Sequence, residues 1–268
     1  AGRDQEQRSG CDDLARHFRP GRVFKKGLIL LEVKAIDTYR GPAHILNGVS
    51  LRVEKQEVVC LVGRNGAGKT TTIESIMGFL PLRSGQIVFE NEDLGNLPPH
   101  ERAKRGIGYS PEDCGIFPEL SVDENLMISR WLGDDVARRR DGGQRPDPQA
   151  QAFSLFPEVQ DLLQRQGLHL SGGQRKMVAI ARAMMLSPTL LLLDEAFEGL
   201  APVIVNRFTE AVMKIKALGV SILMAESHLA AASRIGDRLY AIDRGEIIFH
   251  GSPKDALADE NVVKALRG

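Results

Sequence analysis

The chain has 268 residues and carries 35 Lys plus Arg against 35 Asp plus Glu, so no global charge points to nucleic acid. That length suits one large domain or a core with a subdomain, and three cysteines (Cys11, Cys60 and Cys114) are too few and too scattered for a disulfide framework or a zinc site. No apolar run approaches the roughly 18 residues of a membrane span and no signal-peptide pattern opens the sequence, so a reducing cytosol is expected and any membrane role must come through a partner.

Residues 1–27 are polar, of mixed charge and without apolar period, which predicts a mobile, solvated tail. Leu28–Ile36 reads as the first strand, and Tyr39, by position alone, as a surface aromatic. Leu51–Val53 is a second short strand leading through Glu54-Lys55-Gln56 to Val58–Val62, a short buried strand in which Cys60 reads as a small core residue.

Gly63-Arg64-Asn65-Gly66-Ala67-Gly68-Lys69-Thr70 follows and fits the phosphate-loop pattern GxxxxGK[ST]. Ile73, Ile76, Met77 and Leu80 then recur at helical spacing, so the loop lies between a strand and a helix, the context it needs. Glycines let backbone N–H groups close around phosphates, and the helix N-terminus adds positive potential. Lys69 should reach the β- and γ-phosphates, the Thr70 hydroxyl should ligate Mg²⁺, and Thr71 joins the cofactor-binding set; the expected cofactors are ATP and Mg²⁺.

Ser84-Gly85 is a turn, Gln86–Phe89 a strand, and Pro98-Pro99 opens a short helix through Lys104. Ile107-Gly108-Tyr109 is strand-like and runs into Ser110-Pro111-Glu112-Asp113. Ser121 and Glu124 are spaced as a capping box, predicting a helix to about Trp131; residues 133–151, rich in Gly, Pro, Arg and Asp, read as an exposed connector. Within it Arg138-Arg139-Arg140 reads as a solvated face, and a further helix is expected at about 157–166. Leu170-Ser171-Gly172-Gly173-Gln174 opens a strong helix with a buried stripe of Met177, Ile180, Ala181 and Met184.

Leu190–Leu193 is an apolar strand ending in Asp194-Glu195. A carboxylate at the end of a buried strand costs free energy unless it meets a cation, and Mg²⁺, held directly or through water, is the cation expected at Asp194. Glu195 beside it could polarise the attacking water; with Lys69 and the metal this supplies the positioning and charge neutralisation that phosphoryl transfer needs. A helix spans about 203–218, Ser221–Ala225 is a strand ending at Glu226-Ser227-His228, and Leu239–Ile242 pairs with Glu246–Phe249 across Asp243-Arg244-Gly245. Ser252-Pro253 caps a closing helix, and the lack of an internal repeat gives one nucleotide site per chain.

Leu170-Ser171-Gly172-Gly173-Gln174 matches the signature motif of ABC-type ATPases letter for letter, and from about residue 28 to 251 the order of motifs resembles that family. The resemblance implies an α/β P-loop ABC ATPase fold, with a nucleotide-binding core at 28–112 and 171–251, an inserted helical subdomain at about 113–170 and a helical extension at 252–268. It implies a head-to-tail dimer, with the same chain or a sister ATPase, in which Ser171, Gly172, Gly173 and Gln174 face the other subunit's γ-phosphate. It places Tyr39 at the adenine-stacking aromatic and Glu112, where most members have Gln, in the loop that senses the metal and contacts the membrane subunit.

Most members also carry a γ-phosphate histidine after the strand that follows the Asp-Glu strand. Aligning strand ends puts Ser227 there and His228 one residue beyond, and a one-residue shift would bring His228 instead. Tyr109-Ser110-Pro111-Glu112, Ile116-Phe117-Pro118, Val122-Asp123-Glu124-Asn125-Leu126 and Gly199-Leu200-Ala201-Pro202 are similar to importer ATPases for branched-chain amino acids and related amides, with Ala196 replacing a usual proline. That branch implies transmembrane permease subunits as partners, a substrate-binding protein indirectly, no nucleic acid, and a cytoplasmic place on the inner face of the cell membrane. A lipid-exporter ATPase and a soluble, non-transport ABC ATPase are the alternatives. The latter would carry long coiled-coil arms or two cassettes, which this chain lacks; a nucleotide-gated regulatory subunit with weak hydrolysis is a third. Coupling to a partner is expected beside Glu112 and across Ile116, Phe117 and Leu120, against ordinary subdomain packing.

Overall fold

The computed structural model describes residues 28–141 and 147–267, with the side chains of 134–146 and 267 left aside. The expected tail at 1–27, and the expectation for the Arg138-Arg139-Arg140 side chains, lie outside what is described.

Alternation of apolar and polar residues sets the first sheet. β1 (Ile29–Arg40) and β2 (Ala43–Glu54) form an antiparallel hairpin, longer than the two short strands the sequence suggests. The pairing crosses several irregularities, one beside Ala35, whose φ of +44° breaks the alternation that sequence reading depends on. β4 (Leu82–Phe89) joins β1, and β5 (Glu92–Asp93) joins β4, giving the order β2-β1-β4-β5.

The second sheet is built from β3 (Val58–Val62), β6 (Ile107–Ser110), β7 (Leu190–Asp194), β8 (Ser221–Glu226), β9 (Arg238–Asp243) and β10 (Glu246–Gly251), in the order β10-β9-β3-β8-β7-β6. It is parallel from β9 to β6, and β10 returns antiparallel across Asp243-Arg244-Gly245. A parallel sheet needs both faces covered. Leu190 and Leu192 of β7 accordingly point into one core, shared with α1 (Lys69–Met77) and the first sheet. Leu191 and Leu193 point into the other, shared with α5 (Gly172–Met184) and α6 (Pro202–Ala217). Each such leucine contributes about 1.5–3 kcal/mol by leaving water.

The C-terminal end of α1 is closed by a buried arginine on α2 (Pro99–Lys104). Arg102 donates from Nη1 to the carbonyls of Ser75 and Ile76, from Nε to that of Leu97 and from Nη2 to that of Gly95. Nothing in the sequence reading anticipated it.

Between β6 and α5 lies a helical insertion. α3 (Val122–Asp141) starts at the predicted capping box, where the Ser121 N–H donates to Glu124 Oε2 at 2.7 Å and the Glu124 N–H to Ser121 Oγ at 3.2 Å. It runs ten residues past Trp131, into the stretch expected to be a connector. Gly133 misled that reading. It is a contact point rather than a helix end: a Cβ there would lie 2.1 Å from the Met185 carbonyl oxygen, so glycine lets α3 pack against the end of α5. α4 (Pro148–Leu155) follows, capped by Asp147, whose side chain accepts from the Gln149 N–H at 3.1 Å. The helix expected at 157–166 is instead a 3₁₀ segment at Pro157–Leu162, with a second at Gly167–His169.

α7 (Leu229–Ile235), α8 (Pro253–Ala258) and α9 (Glu260–Arg267) complete the chain, so the single closing helix expected is two. Among the described residues no helix is long and apolar enough to cross a membrane.

Candidate nucleotide site

Parallel strands end at one edge of their sheet, and that edge collects the candidate residues. β3 runs into the phosphate loop, β7 into Asp194-Glu195, β8 into Glu226-Ser227 and β6 toward Glu112. The register fixes their heights: Val62 lies opposite Glu226, Asp194 opposite Ala225, and Ser110 opposite Leu193. A cleft of about 410 Å³ opens there, lined by Asn65, Gly66, Gly68, Lys69, Thr70 and Thr71 of the phosphate loop. Facing them are Glu112, Glu195 and Glu198, and beyond the loop Arg40 and Ile45.

The loop turns into α1 through Gly68, whose φ of +114° an L side chain rarely adopts. The helix start has no side-chain cap and no acidic residue in its first turn, so its N–H dipoles keep their positive potential. Lys69 is buried and folds back over the loop, with Nζ donating to the carbonyls of Gly63 at 2.8 Å and Arg64 at 3.0 Å and lying 3.0 Å from Glu195 Oε1. Ala67 is buried and anchors the loop to the turn between β9 and β10, its carbonyl accepting from the Gly245 N–H at 2.9 Å.

Glu195 is held from several sides. Its φ is +47°, in the left-handed region, which turns the carboxylate back toward Lys69. Lys176 of the α5 helix donates to its carbonyl. Ser227 donates from its hydroxyl to Oε1 at 2.6 Å and from its N–H to Oε2 at 3.1 Å, and its oxygen also lies 2.8 Å from Asn65 Oδ1. His228, one residue on, is exposed at the start of α7 and makes no side-chain cap. The structure thus brings Ser227, not His228, to Glu195.

Asp194 is buried beside Thr70, whose hydroxyl donates to Oδ1 at 3.3 Å. Its Oδ2 has no hydrogen-bond partner among the described residues. Burial, followed by the nearby charges of Glu195 and Glu112, pushes its carboxyl up to about 6 despite the Thr70 bond and Lys69. An orphaned buried oxygen beside a hydroxyl is a fitting donor pair for a hard cation. Among the described residues no group of three or more His, Cys, Asp or Glu could hold a metal alone. Magnesium shared with phosphates and water needs only one or two protein oxygens.

Glu226 was not anticipated as a site residue. It is fully buried behind Glu195; Oε1 accepts from the Phe197 N–H at 3.2 Å and Oε2 has no partner among the described residues. Burial first, and then the charge of Glu195, push its carboxyl up to about 8. The signal was available, since an acid ending an apolar strand is the pattern that picked out Asp194.

Two groups of expected residues stand away from the cleft. Ser171, Gly172, Gly173 and Gln174 do not line it. They start α5 with a reciprocal capping box, the Ser171 N–H donating to Gln174 Oε1 at 3.0 Å and the Gln174 N–H to Ser171 Oγ at 3.3 Å, and Ser171 and Gly172 are exposed. Tyr39 does not line it either. Its ring stacks on its cross-strand partner His44, with centroids 4.4 Å apart and planes within 2°.

The sequence pattern of the ABC transporter family matches residues 46–198. The lipopolysaccharide export system ATP-binding protein LptB of Escherichia coli is 36% identical over 230 residues, 86% of this chain and 93% of that protein. The high-affinity branched-chain amino acid transport ATP-binding protein BraG of Pseudomonas aeruginosa is 33% identical over 242 residues, 89% of this chain and all of that protein. Among solved structures, a nucleotide-free ATP-binding cassette from an ABC transporter superposes with a TM-score of 0.76 at 31% identity, over 90% of this chain and 100% of that one. An ABC-transporter cassette in its ADP conformation gives 0.75 at 31% identity, over 90% and 99%. At that identity and coverage the likeness decides family as well as fold: the chain belongs to the ATP-binding subunits of ABC transporters, and it is an ATPase.

Proposed function

We propose that ATP hydrolysis in this chain drives transport through separate membrane-spanning subunits, with Glu195 as the residue that positions the attacking water. The observation carrying this reading is the Glu195 carboxylate, held in the cleft by Ser227 and facing Lys69 across 3.0 Å. Lys69 and the N–H groups of the phosphate loop bind the phosphates, and Thr70 and Asp194 are the groups that would hold magnesium, with Glu112 near them. Bound magnesium supplies neutralisation of phosphate charge. Ser227 takes the phosphate-facing position as a neutral hydrogen-bond donor without titratable charge.

Of the signature residues, Ser171 and Gly172 are exposed and none of Ser171–Gln174 lines this chain's own cleft, which fits a role toward a second subunit's phosphate. Phe79, Phe117 and Trp131 are 52%, 48% and 69% exposed, Trp131 on α3, Phe117 bonded through its N–H to Asn125 of α3 and Phe79 against Tyr109 of β6, and exposed aromatics of this kind suit a permease at the inner face of the membrane. Of the two substrate classes, a lipid has the better support, because the likeness to LptB at 36% exceeds that to BraG at 33%. The branched-chain amino acid importer, the main expectation from the Tyr109–Glu112 and Gly199–Pro202 segments, is the second reading. Co-purified membrane subunits reconstituted in vesicles separate them: turnover stimulated by lipopolysaccharide supports export, and turnover stimulated by leucine with a binding protein supports import.

Glu195→Gln is expected to lower turnover about 10²-fold or more while sparing ATP binding. It should also accumulate an ATP-bound dimer on size-exclusion chromatography. A monomeric, fully active variant would contradict both parts.

A further inference from the structure

A residue other than glycine keeps a positive φ only where its surroundings enforce it. Glu195 is such a residue, at φ +47° just beyond β7. Its backbone is held on both sides. The N–H donates to the Ala225 carbonyl of β8 at 2.9 Å, and the carbonyl accepts from the Glu198 N–H at 3.2 Å and from Lys176 Nζ. The first two bonds join backbone to backbone, so they place no demand on the side chains involved. The third comes from a particular side chain on another element, α5.

α5 fixes where Lys176 starts from. The capping box of Ser171 and Gln174 sets the first turn of the helix, and Lys176 follows in the second. Its neighbour Met177 is buried in the same core as Ala196 and Phe197, the two residues after Glu195. Gly173 lies against the continuation of that segment: a Cβ there would stand 3.6 Å from Ile204 Cγ2 and 3.8 Å from Leu200 Cδ2. The start of α5 is thus packed on the chain that leaves Glu195, and Lys176 spans the seam between them. Lysine usually keeps its amino group in water. Here the side chain is half-buried and Nζ bonds a backbone carbonyl. Lys176 does not line the cleft, so its contact with the site is through Glu195 alone.

We propose that Lys176 is a positioning residue for ATP hydrolysis: it holds the left-handed turn at Glu195 that presents the carboxylate to Ser227 and Lys69. This rests on the reading of Glu195 as the residue that positions the attacking water. A lysine that acts in this way changes the chemical step and leaves nucleotide binding alone. Turnover and affinity for a fluorescent ATP analogue are measured for the wild type, Lys176→Met, Lys176→Arg, Glu195→Gln and the double variant Lys176→Met/Glu195→Gln, with urea unfolding as the check of fold. Lys176→Met keeps the stem and loses the donor. It is expected to lower turnover about tenfold, in the range of one lost hydrogen bond from a charged group, with affinity within about twofold. Lys176→Arg restores a donor and should recover most of the turnover. In the double variant the lysine change should cost less than about twofold beyond Glu195→Gln, because the carboxylate it serves is already gone. Wild-type turnover in Lys176→Met would overturn the proposal, as would an affinity loss as large as the turnover loss. So would a folded Lys176→Arg as slow as Lys176→Met, or a full tenfold loss that persists beside Glu195→Gln. A Lys176→Met chain that does not fold would make the lysine a structural tie, which also overturns it. Wild-type turnover in Glu195→Gln would instead overturn the reading of Glu195 itself.

Discussion

The two ends of α1, a helix of nine residues, handle the same problem in opposite ways. A helix leaves its last carbonyls and its first N–H groups without partners inside itself. At the C-terminal end these groups are provided for. Gly78, at φ +81°, donates its N–H to the carbonyls of Glu74 and Ser75, and the Arg102 guanidinium takes those of Ser75 and Ile76, its positive charge against the negative end of the dipole. At the N-terminal end the cap is a bare glycine, no acid sits in the first turn, and the only charge within it is the cation of Lys69. The saturated end holds the fold together, and the unsaturated end keeps its potential for an anion.

The comparison breaks if substitutions at the two ends do the same thing. Lys69→Ala is expected to abolish ATP turnover, on the order of 10³-fold or more, and to weaken a fluorescent ATP analogue in titration. Unchanged affinity together with unchanged turnover would remove the N-terminal end from function. Arg102→Ala should do the reverse. It removes the guanidinium donor from four carbonyls, two of them on the buried residues Ser75 and Ile76, so urea unfolding should show a loss of about 3 kcal/mol, while ATP affinity of the folded protein stays within about twofold. A stable variant, or one that loses ATP while stable, would contradict the division.

The third test is one of pH, and it sharpens the picture of the site edge as a place where ionising a buried carboxyl costs free energy. Glu226 is raised from a model-peptide value near 4.5 to about 8 in the folded chain. The native state therefore holds a proton that the unfolded chain releases, so this stability is fully present below about 4.5 and is lost as pH rises through 8. The urea midpoint of nucleotide-free protein should fall between about pH 5 and 8, and Glu226→Gln should flatten that fall. Asp194, raised to about 6, adds a slope of the same sign at lower pH. A Glu226→Gln profile parallel to the wild type would show that the buried carboxyl does not titrate in this range.

What could be read in the sequence was whatever local chemistry dictates. The phosphate loop is legible because only that spacing of glycines before Lys69-Thr70 wraps a phosphate, and Asp194-Glu195 because ionisable groups rarely end an all-leucine strand. What depends on distant backbone was not. Gly133 looks like a helix breaker until the Met185 carbonyl is seen beside it. Arg102 looks like any surface arginine until its carbonyl partners are in place, up to 27 residues away in the chain. Whether Tyr39 or Arg40 faces the cleft is a one-residue choice on a strand whose register slips several times, and no local rule decides it.

The strand order has a consequence for how the chain is made. β3, five buried residues leading into the phosphate loop, lies between β8 and β9, both of which come from the far end of the sequence. A ribosome releasing the chain from its N-terminus exposes β3 long before either neighbour exists. Through the synthesis of the whole helical insertion the most apolar strand beside the site has two open edges, and the phosphate loop has neither Glu195 nor Ser227 to meet. The first sheet, whose β1, β2 and β4 all lie within residues 29–89, can close early and cover one face of α1. The catalytic edge is therefore assembled last, and a nascent chain stalled before residue 221 is a sticky half-domain, the kind of species that chaperones are needed to hold.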